Sequence, residues 1–294
     1  MIVIEIKINK LFSVFIMTID TMVNNLISVI MPVYNPNLEQ LEISLQSVLA
    51  QTYSNLELII IYKSSGKEVD SKVQEIFEKY KDNRIRIFHD NSGFVSALNL
   101  GIEKSNGKFI GRMDSDDICV NTRFEEQSKF MQQNKLSLVG SWAFSITNEG
   151  KQIGTIEPPY EHDKIRKKIM FHNPILHPTI LVEKKMLEDI GYYNEKFYGA
   201  EDYELYLRAI SKNYKIGNIP RYLIYLREAE SSITRGNQWR STRKAYFKTK
   251  KQALFHYGFN RYYDVFYYLL TPLTFLISPK MSLAIKNIAG WNKN

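Results

Sequence analysis

The sequence predicts an α/β fold built on a mostly parallel sheet that is flanked by helices. Apolar runs of strand length alternate with segments of helical periodicity from residue 26 to about residue 118, and each strand-like run ends in polar, turn-forming residues. Strands that alternate with helices of this length form parallel sheets covered on both faces. The chain has 294 residues, of which 44% are hydrophobic and 24% charged, so it can bury a large core.

Apolar runs in the first half of the chain predict four strands, namely Ile27–Val33, Leu56–Ile61, Ile85–Phe88 and Phe109–Met113. Apolar residues at helical spacing predict three helices between them, over Leu38–Leu49, around Val73–Tyr80 and over Val95–Ile102. After residue 140 the pattern is mixed. It predicts helices over Asp163–Phe171 and Glu201–Ile210, a strand over Thr179–Val182, and one or two strands over Tyr214–Leu226.

Polar loops follow all four early strands, and they comprise Pro32–Asn35, Tyr62–Gly66, Asp90–Gly93 and Asp114–Asp117. In open parallel sheets, ligands bind outside the carboxyl ends of the strands. We therefore expect the four loops to border one crevice.

The loop Asp114-Ser115-Asp116-Asp117 carries three carboxylates at the end of a predicted buried strand. Residues two apart on an extended chain point the same way, so Asp114 and Asp116 can face one ion. Hard oxygen ligands of this kind suit Mg²⁺ or Mn²⁺. The alternative is that the aspartates cap a helix that begins near Asn121. The position of the loop in the shared crevice favours a metal site.

The net charge and the cysteine content limit which partners and which cell compartment are expected. The net charge is +8, from 39 basic and 31 acidic residues, which can attract phosphorylated substrates, anionic lipid or nucleic acid. No recognisable nucleic-acid module accompanies the charge, so no nucleic-acid partner is expected. The single cysteine, Cys119, excludes an intramolecular disulfide and fits a cytoplasmic protein. Residues 1–25 resemble a strand or a disordered leader and lack the features of a secretory signal.

Residues 236–294 form a basic and apolar C-terminal extension. Six basic residues between Arg240 and Lys251 precede the uncharged stretch Val265–Ile277, which is too short to span a membrane and is interrupted by Pro272. One reading is peripheral contact with the inner face of the membrane, with the basic cluster facing anionic headgroups. The other reading is a helical pair that packs on the domain.

Four segments occur in an order and at a spacing that resemble glycosyltransferase family 2, which has the GT-A fold. They are Ile27–Asn35, Ser47–Tyr53, Asp114–Asp117 and Glu201–Leu205. The resemblance covers roughly residues 26–234. It implies a glycosyltransferase domain over residues 26–235, with a nucleotide-sugar half at 26–120 and an acceptor half at 121–235.

The resemblance implies a metal-dependent, inverting hexosyl- or N-acetylhexosaminyltransferase. Such an enzyme moves a sugar from a nucleotide-sugar donor to a hydroxyl of a glycan or lipid-linked acceptor, with Mn²⁺ or Mg²⁺. Asp114 and Asp116 match the metal and donor motif, and Asp202 matches the catalytic base, with Glu201 beside it. His177 lies in a segment that approaches the acceptor, although a hydrogen-bonded structural histidine is the alternative. The donor-binding loops of the family match Pro32, Tyr34, Asn35, Asn91, Gly93 and Asn99.

The chemistry calls for the same residue types. Cleavage of a sugar–diphosphate bond leaves negative charge, which a metal held by carboxylates stabilises. The acceptor hydroxyl must lose a proton, so a carboxylate base is needed. Asp202 fits this role, although an aspartate at a helix start is also stabilised by the helix dipole alone.

Two departures from the family pattern keep a second hypothesis open. The second strand ends in Tyr62-Lys63-Ser64-Ser65-Gly66, without the acidic pair that relatives use at the base, so Tyr62 is expected to stack on the base and Lys63 to reach phosphate. No histidine follows Arg227, so Glu228, Glu230 or water is left to take its place as a ligand. A degenerate member that binds a sugar or a partner without turnover is the alternative function.

Overall fold

The computed structural model describes residues 25–228 and 239–276, with the side chain of Trp239 and those of residues 274–276 excluded. The predicted leader, apart from residue 25, and Glu230 lie outside this part of the chain. The strands are β1 Ile27–Tyr34, β2 Leu56–Lys63, β3 Ile85–His89, β4 Phe109–Arg112, β5 Ile118–Cys119, β6 Leu138–Ile146, β7 Gln152–Ile156, β8 Leu181–Glu183 and β9 Ile216–Arg227. The helices are α1 Leu38–Leu49, α2 Lys67–Lys79, α3 Phe94–Lys104, α4 Arg123–Asn134, α5 His162–Lys168, α6 Lys184–Ile190, α7 Glu201–Ser211, α8 Trp239–His256 and α9 Tyr262–Leu270.

The strands form one sheet in the order β3-β2-β1-β4-β8-β6-β9-β5, with β7 beside β6. Strands β1 to β4 pair in parallel, as the alternating pattern predicts. Strand β8 lies antiparallel between β4 and β6, and β6 then pairs in parallel with β9. The α/β prediction is confirmed, and the later, less regular half extends the same sheet.

Both faces of the parallel part are buried, which explains the continuous apolar runs of β1 and β2. Leu41 and Leu45 of α1 pack against one face, and Leu98 of α3 packs against the other. Full burial of one such side chain is worth about 1.5–3 kcal/mol. Helix α3 approaches β1 so closely that a Cβ on Gly101 would lie 2.5 Å from Cγ2 of Ile30.

The C-terminal helices pack on α5 and α7, in the later half of the sheet domain. The ring of Tyr246 in α8 stacks on Tyr203 of α7 with centroids 4.8 Å apart. Arg166 of α5 donates two hydrogen bonds of 2.9 Å to the fully buried carboxylate of Asp264 in α9. The packed helical pair considered in the sequence analysis is therefore observed. Within the two described ranges, no helix has both the length and the apolar composition that a membrane crossing requires.

Candidate active site

The register of the parallel strands brings their carboxyl ends to one edge of the sheet. Tyr34 lies opposite Lys63, and Tyr62 lies opposite His89. The backbone N–H of Asn35 donates to Ser65 Oγ at 2.7 Å, so the first two loops are joined. The ring of Tyr34 is 63% exposed, with the Lys63 ammonium 5.0 Å from its centroid. An aromatic face and a cation are thus available beside these strand ends.

The three aspartates form a compact acidic cluster directly after β4. One carboxylate oxygen from each of Asp114, Asp116 and Asp117 lies within 4.8 Å of the others. Helix α1 contacts the backbone of this loop, since Ser44 Oγ donates a hydrogen bond of 2.9 Å to the Asp114 carbonyl. Several carboxylate oxygens within this distance form a donor set that suits a hard divalent cation.

Burial makes this cluster receptive to positive charge. Burial, followed by the neighbouring charge of Asp114, raises the pKa of Asp116 to about 6. Burial also raises the pKa of Asp117 well above its ordinary value. Helix α4 begins at Arg123, two residues later than expected, and it has no side-chain cap at its start. The described hydrogen bonds of the aspartates go elsewhere, which favours the metal reading over helix capping.

Arg227 clamps the acidic loop, a role that the sequence analysis missed. Its backbone N–H donates to Asp117 Oδ1 at 2.9 Å, and its Nε donates to the Asp116 carbonyl at 2.6 Å. This contact arises because β9 pairs antiparallel with β5, which directly follows the loop. Among the described residues, Glu228 is not part of the acidic group that can hold a metal. Its expected role as a replacement ligand is therefore not supported.

Arg112 is a second residue that sequence reasoning missed. It is buried at the end of β4, its Nη1 donates to Asp114 Oδ2 at 2.7 Å, and its Nη2 donates to the other oxygen. Burial raises the pKa of both Glu201 and Asp202, and the charge of Arg112 opposes that rise. Arg112 thus contacts the acidic cluster and also acts electrostatically on the expected base. Its position two residues before Asp114, on the same side of the strand, was an available signal.

The expected base lies in the first turn of α7. Asp202 Oδ2 accepts a hydrogen bond of 2.7 Å from Asn173 Nδ2, and Oδ1 accepts one of 2.7 Å from the Tyr203 N–H. Burial raises the pKa of Asp202, while these donors oppose the rise. The adjacent Glu201 accepts from the Gly199 N–H at 2.6 Å, and burial, with the charge of Asp202, raises its pKa to about 7. Asp202 is thus an oriented, partly exposed carboxylate.

Tyr62 does not fit the base-stacking role expected of it. Its side chain is 4% exposed, and its ring packs edge-on against Phe77 and His89. Its hydroxyl donates to Asp70 Oδ1. The expectation failed because Tyr62 belongs to β2, where it faces a helix instead of the loop. The exposed ring near the second loop is that of Tyr34.

Asn99 and His177 serve internal contacts in this structure. The Asn99 amide donates to the Tyr193 carbonyl at 3.0 Å and accepts from the Tyr193 N–H at 2.9 Å. Buried His177 lies 2.8 Å from the Tyr193 hydroxyl, and burial, reinforced by the charge of Arg112, holds its pKa well below the usual value. The structural reading of His177 fits these contacts better than acceptor binding. Pro32 near the end of β1, and Asn91 and Gly93 just before α3, border the strand ends as expected.

Comparison with known proteins identifies the family of this chain. A profile described as glycosyl transferase family 2 matches residues 28–191. The chain belongs to glycosyltransferase family 2. It is 36% identical to the O-antigen biosynthesis glycosyltransferase WbnJ of Escherichia coli, over 69% of this chain and 80% of that protein. It is 28% identical to the amylovoran biosynthesis glycosyltransferase AmsE of Erwinia amylovora, over 86% and 95% of the two chains.

The fold has solved counterparts. A crystal structure of S. aureus TarS residues 1–349 in complex with UDP-GlcNAc aligns with a TM-score of 0.58 and 18% identity, over 77% of this chain and 65% of that one. At this identity the likeness supports the fold alone. The family's GT-A architecture, expected from the sequence, is therefore confirmed.

Proposed function

We propose that this family member is an active, inverting, metal-dependent glycosyltransferase that uses a nucleoside diphosphate sugar. The observation that carries the proposal is the cluster of Asp114, Asp116 and Asp117, whose carboxylate oxygens lie within 4.8 Å of one another and of which Asp114 accepts a hydrogen bond from the buried Arg112. Burial raises the pKa of Asp202 and the charge of Arg112 opposes that rise, so the proposed base and the acidic cluster interact with the same buried cation.

The chain's own residues support each part of the reaction. Asp202 accepts the proton of the acceptor hydroxyl while the acceptor oxygen attacks the anomeric carbon. The bond from that carbon to the diphosphate breaks, and its electron pair leaves with the diphosphate. A divalent metal held by Asp114 and Asp116 would supply positive charge to the leaving group. Attack opposite to the leaving group inverts the anomeric configuration.

The donor we propose is a UDP-linked hexose or N-acetylhexosamine. The exposed ring of Tyr34 offers a stacking face for the base, with Lys63 beside it. The TarS structure was determined with UDP-GlcNAc, which makes that compound the first donor to test. WbnJ and AmsE are named for O-antigen and amylovoran synthesis, so a growing polysaccharide or a lipid-linked oligosaccharide is the acceptor class we propose.

A thermal-shift screen of nucleotide sugars, with and without Mn²⁺, tests this function. Stabilisation by a ligand follows RT ln(1 + [L]/Kd), so a donor at about 100 times its Kd adds about 2.7 kcal/mol. We expect metal-dependent stabilisation by UDP-GlcNAc or a related donor, and its loss in Asp116→Ala. Binding of a donor without hydrolysis or transfer under any condition would instead support the non-catalytic alternative.

We also propose peripheral membrane contact through α9 in a cytoplasmic protein. Tyr262, Phe266 and Leu269 of α9, and Leu273 in the 3₁₀ turn that follows it, recur at helical spacing and are 86%, 56%, 66% and 54% exposed. Exposed basic residues recur in the same way on α8, at Lys244, Lys248 and Lys251. Exposed apolar residues on α9 and exposed basic residues on α8, the helix packed against it, suit an anionic membrane interface.

Sedimentation with phosphatidylserine vesicles tests this contact. Phe266→Ser with Leu269→Ser should release the protein from the vesicles, whereas Ile153→Ser, at a 55% exposed site on β7, should not. These point variants leave Asp264 in place, so the packing of α9 is kept. Equal sedimentation of all three proteins would refute the proposal.

A further inference from the structure

We propose that Asn173 is a positioning residue that orients Asp202, and that Tyr246 of the C-terminal extension holds Asn173 in place. The inference rests on the proposed role of Asp202 as the base. It assigns a function in the reaction to α8, which lies beyond the residues matched by the family profile.

The Asn173 amide is fixed at both ends. Its Oδ1 accepts from the Ile175 N–H at 3.2 Å, and its Nδ2 donates to Asp202 Oδ2 at 2.7 Å. The intervening Pro174 restricts the backbone of Asn173 to extended conformations. Because the amide oxygen is engaged by Ile175, the donating end points to Asp202. A short donor bond of this kind orients a carboxylate and stabilises its ionised form.

Helix α8 holds this segment from the other side. The ring of Tyr246 stacks on Tyr203, the residue that follows Asp202. Burial raises the pKa of Tyr246, and Asn173, as a side-chain hydrogen-bond partner, opposes that rise. Four residues later, the buried Lys250 ammonium donates to the Phe171 carbonyl at 3.1 Å, two positions before Asn173. Both contacts tie the loop to one face of α8. The same helix therefore contacts the loop that carries Asn173 and the helix that carries Asp202.

The surroundings of Asp202 make it sensitive to the loss of one donor. Burial is the largest influence on its pKa, and the Asn173 donor opposes that influence. The titratable and charged groups that interact with Asp202 come from β4, from the segment before α7, from α7 and from α8, and they are Arg112, Tyr193, Glu201, Tyr203, Tyr206 and Tyr246. All of these groups remain in an Asn173 variant, so a change in the pKa of Asp202 would report the loss of the Asn173 donor.

The test measures the pKa of the Asp202 carboxyl by NMR of ¹³C-labelled aspartate, with Asp202→Asn used to assign the signal. Asn173→Ala should raise this pKa by about one unit, in line with the loss of a donor to a carboxylate. Asn173→Asp should raise the pKa of Asp202 further, because the substitution replaces the amide donor with a carboxylate of similar shape that carries the same negative charge as Asp202. Tyr246→Phe keeps the ring and should give a smaller rise. Phe255→Ala, at a 64% exposed position of the same helix, should give none.

Turnover of UDP-GlcNAc, or of the donor that the screen identifies, distinguishes a failure of this inference from a failure of the proposed function. Asn173→Ala should lower kcat about tenfold near neutral pH, with the donor KM unchanged, and the acidic limb of the pH profile should move upward. An inactive Asp202→Asn together with an unshifted Asn173→Ala profile would overturn this inference alone. Full activity of Asp202→Asn would overturn the assignment of the base itself.

Discussion

The acidic loop at residues 114–117 follows a strand of the parallel sheet and is held by residues at strand ends, whereas Asp202 lies at the start of a helix and is held by the loop residue Asn173. Arg112 and Arg227, which end β4 and β9, bind the loop. Asp202 instead depends on Asn173 and, through it, on Tyr246 of α8. Sheet geometry therefore positions the proposed metal site, while helix packing, including that of the C-terminal extension, positions the proposed base. This difference implies that damage to the C-terminal helices should affect the proposed base first.

The largest expected effect on stability comes from the buried ion pair between α5 and α9. Arg166→Met removes both guanidinium donors from the fully buried Asp264 carboxylate and leaves it only the Arg261 N–H, and loss of one partner of such a pair costs about 3–5 kcal/mol. Urea unfolding checks the value. Arg166→Met combined with Asp264→Leu should recover part of the loss, because no buried charge is then left unpaired. A loss below about 1 kcal/mol in the single variant would mean that α9 is not an integral part of the fold.

An intermediate effect is expected where α3 meets β1. Gly101→Ala places a methyl group 2.5 Å from Ile30, and overpacking of this kind costs about 1–3 kcal/mol. Gly154→Ala is the matched control, since no atom lies within 4 Å of its added Cβ. Thermal unfolding should therefore separate the two variants. Equal stability would contradict the close packing described for the parallel half.

The effect that is smallest at a single pH step concerns Lys250, whose pKa burial lowers to about 8. Between pH 8 and the ordinary lysine pKa, the unfolded chain binds more protons than the folded protein. The unfolding free energy should therefore rise with pH in this window, by up to about 1.4 kcal/mol per unit. Measuring wild type against Lys250→Met cancels the other titrating groups. If the difference in unfolding free energy between the two proteins is constant from pH 7 to 10, Lys250 is not desolvated.

Local patterns allowed the parallel half to be predicted closely. The predicted helix Leu38–Leu49 matches α1 residue for residue, and the four early strands begin where predicted. Each of these elements is an apolar run between turn-forming residues, so its signal lies within a short window. The acidic loop was found for the same reason.

The later half needed tertiary information. Strand β6 was not predicted, because its buried Gly140, Ser141 and Ser145 break the apolar run. Arg227 and Tyr246 acquire their contacts only through the pairing of β9 and the packing of α8. The sequence analysis placed Tyr62 in the loop after the second strand, whereas Tyr62 belongs to β2 itself. Asp202 was identified from its motif, but its partner Asn173 is 29 residues away.

Donor consumption with Mn²⁺, compared among wild type, Asp116→Ala and Asp202→Asn, tests the central claim most directly. Wild type should consume the donor that stabilises it. Asp116→Ala should lose the response to Mn²⁺, and Asp202→Asn should keep metal-dependent donor binding while turnover falls about 10²- to 10⁴-fold. Unchanged turnover in both variants would contradict the assignment of the metal site and of the base.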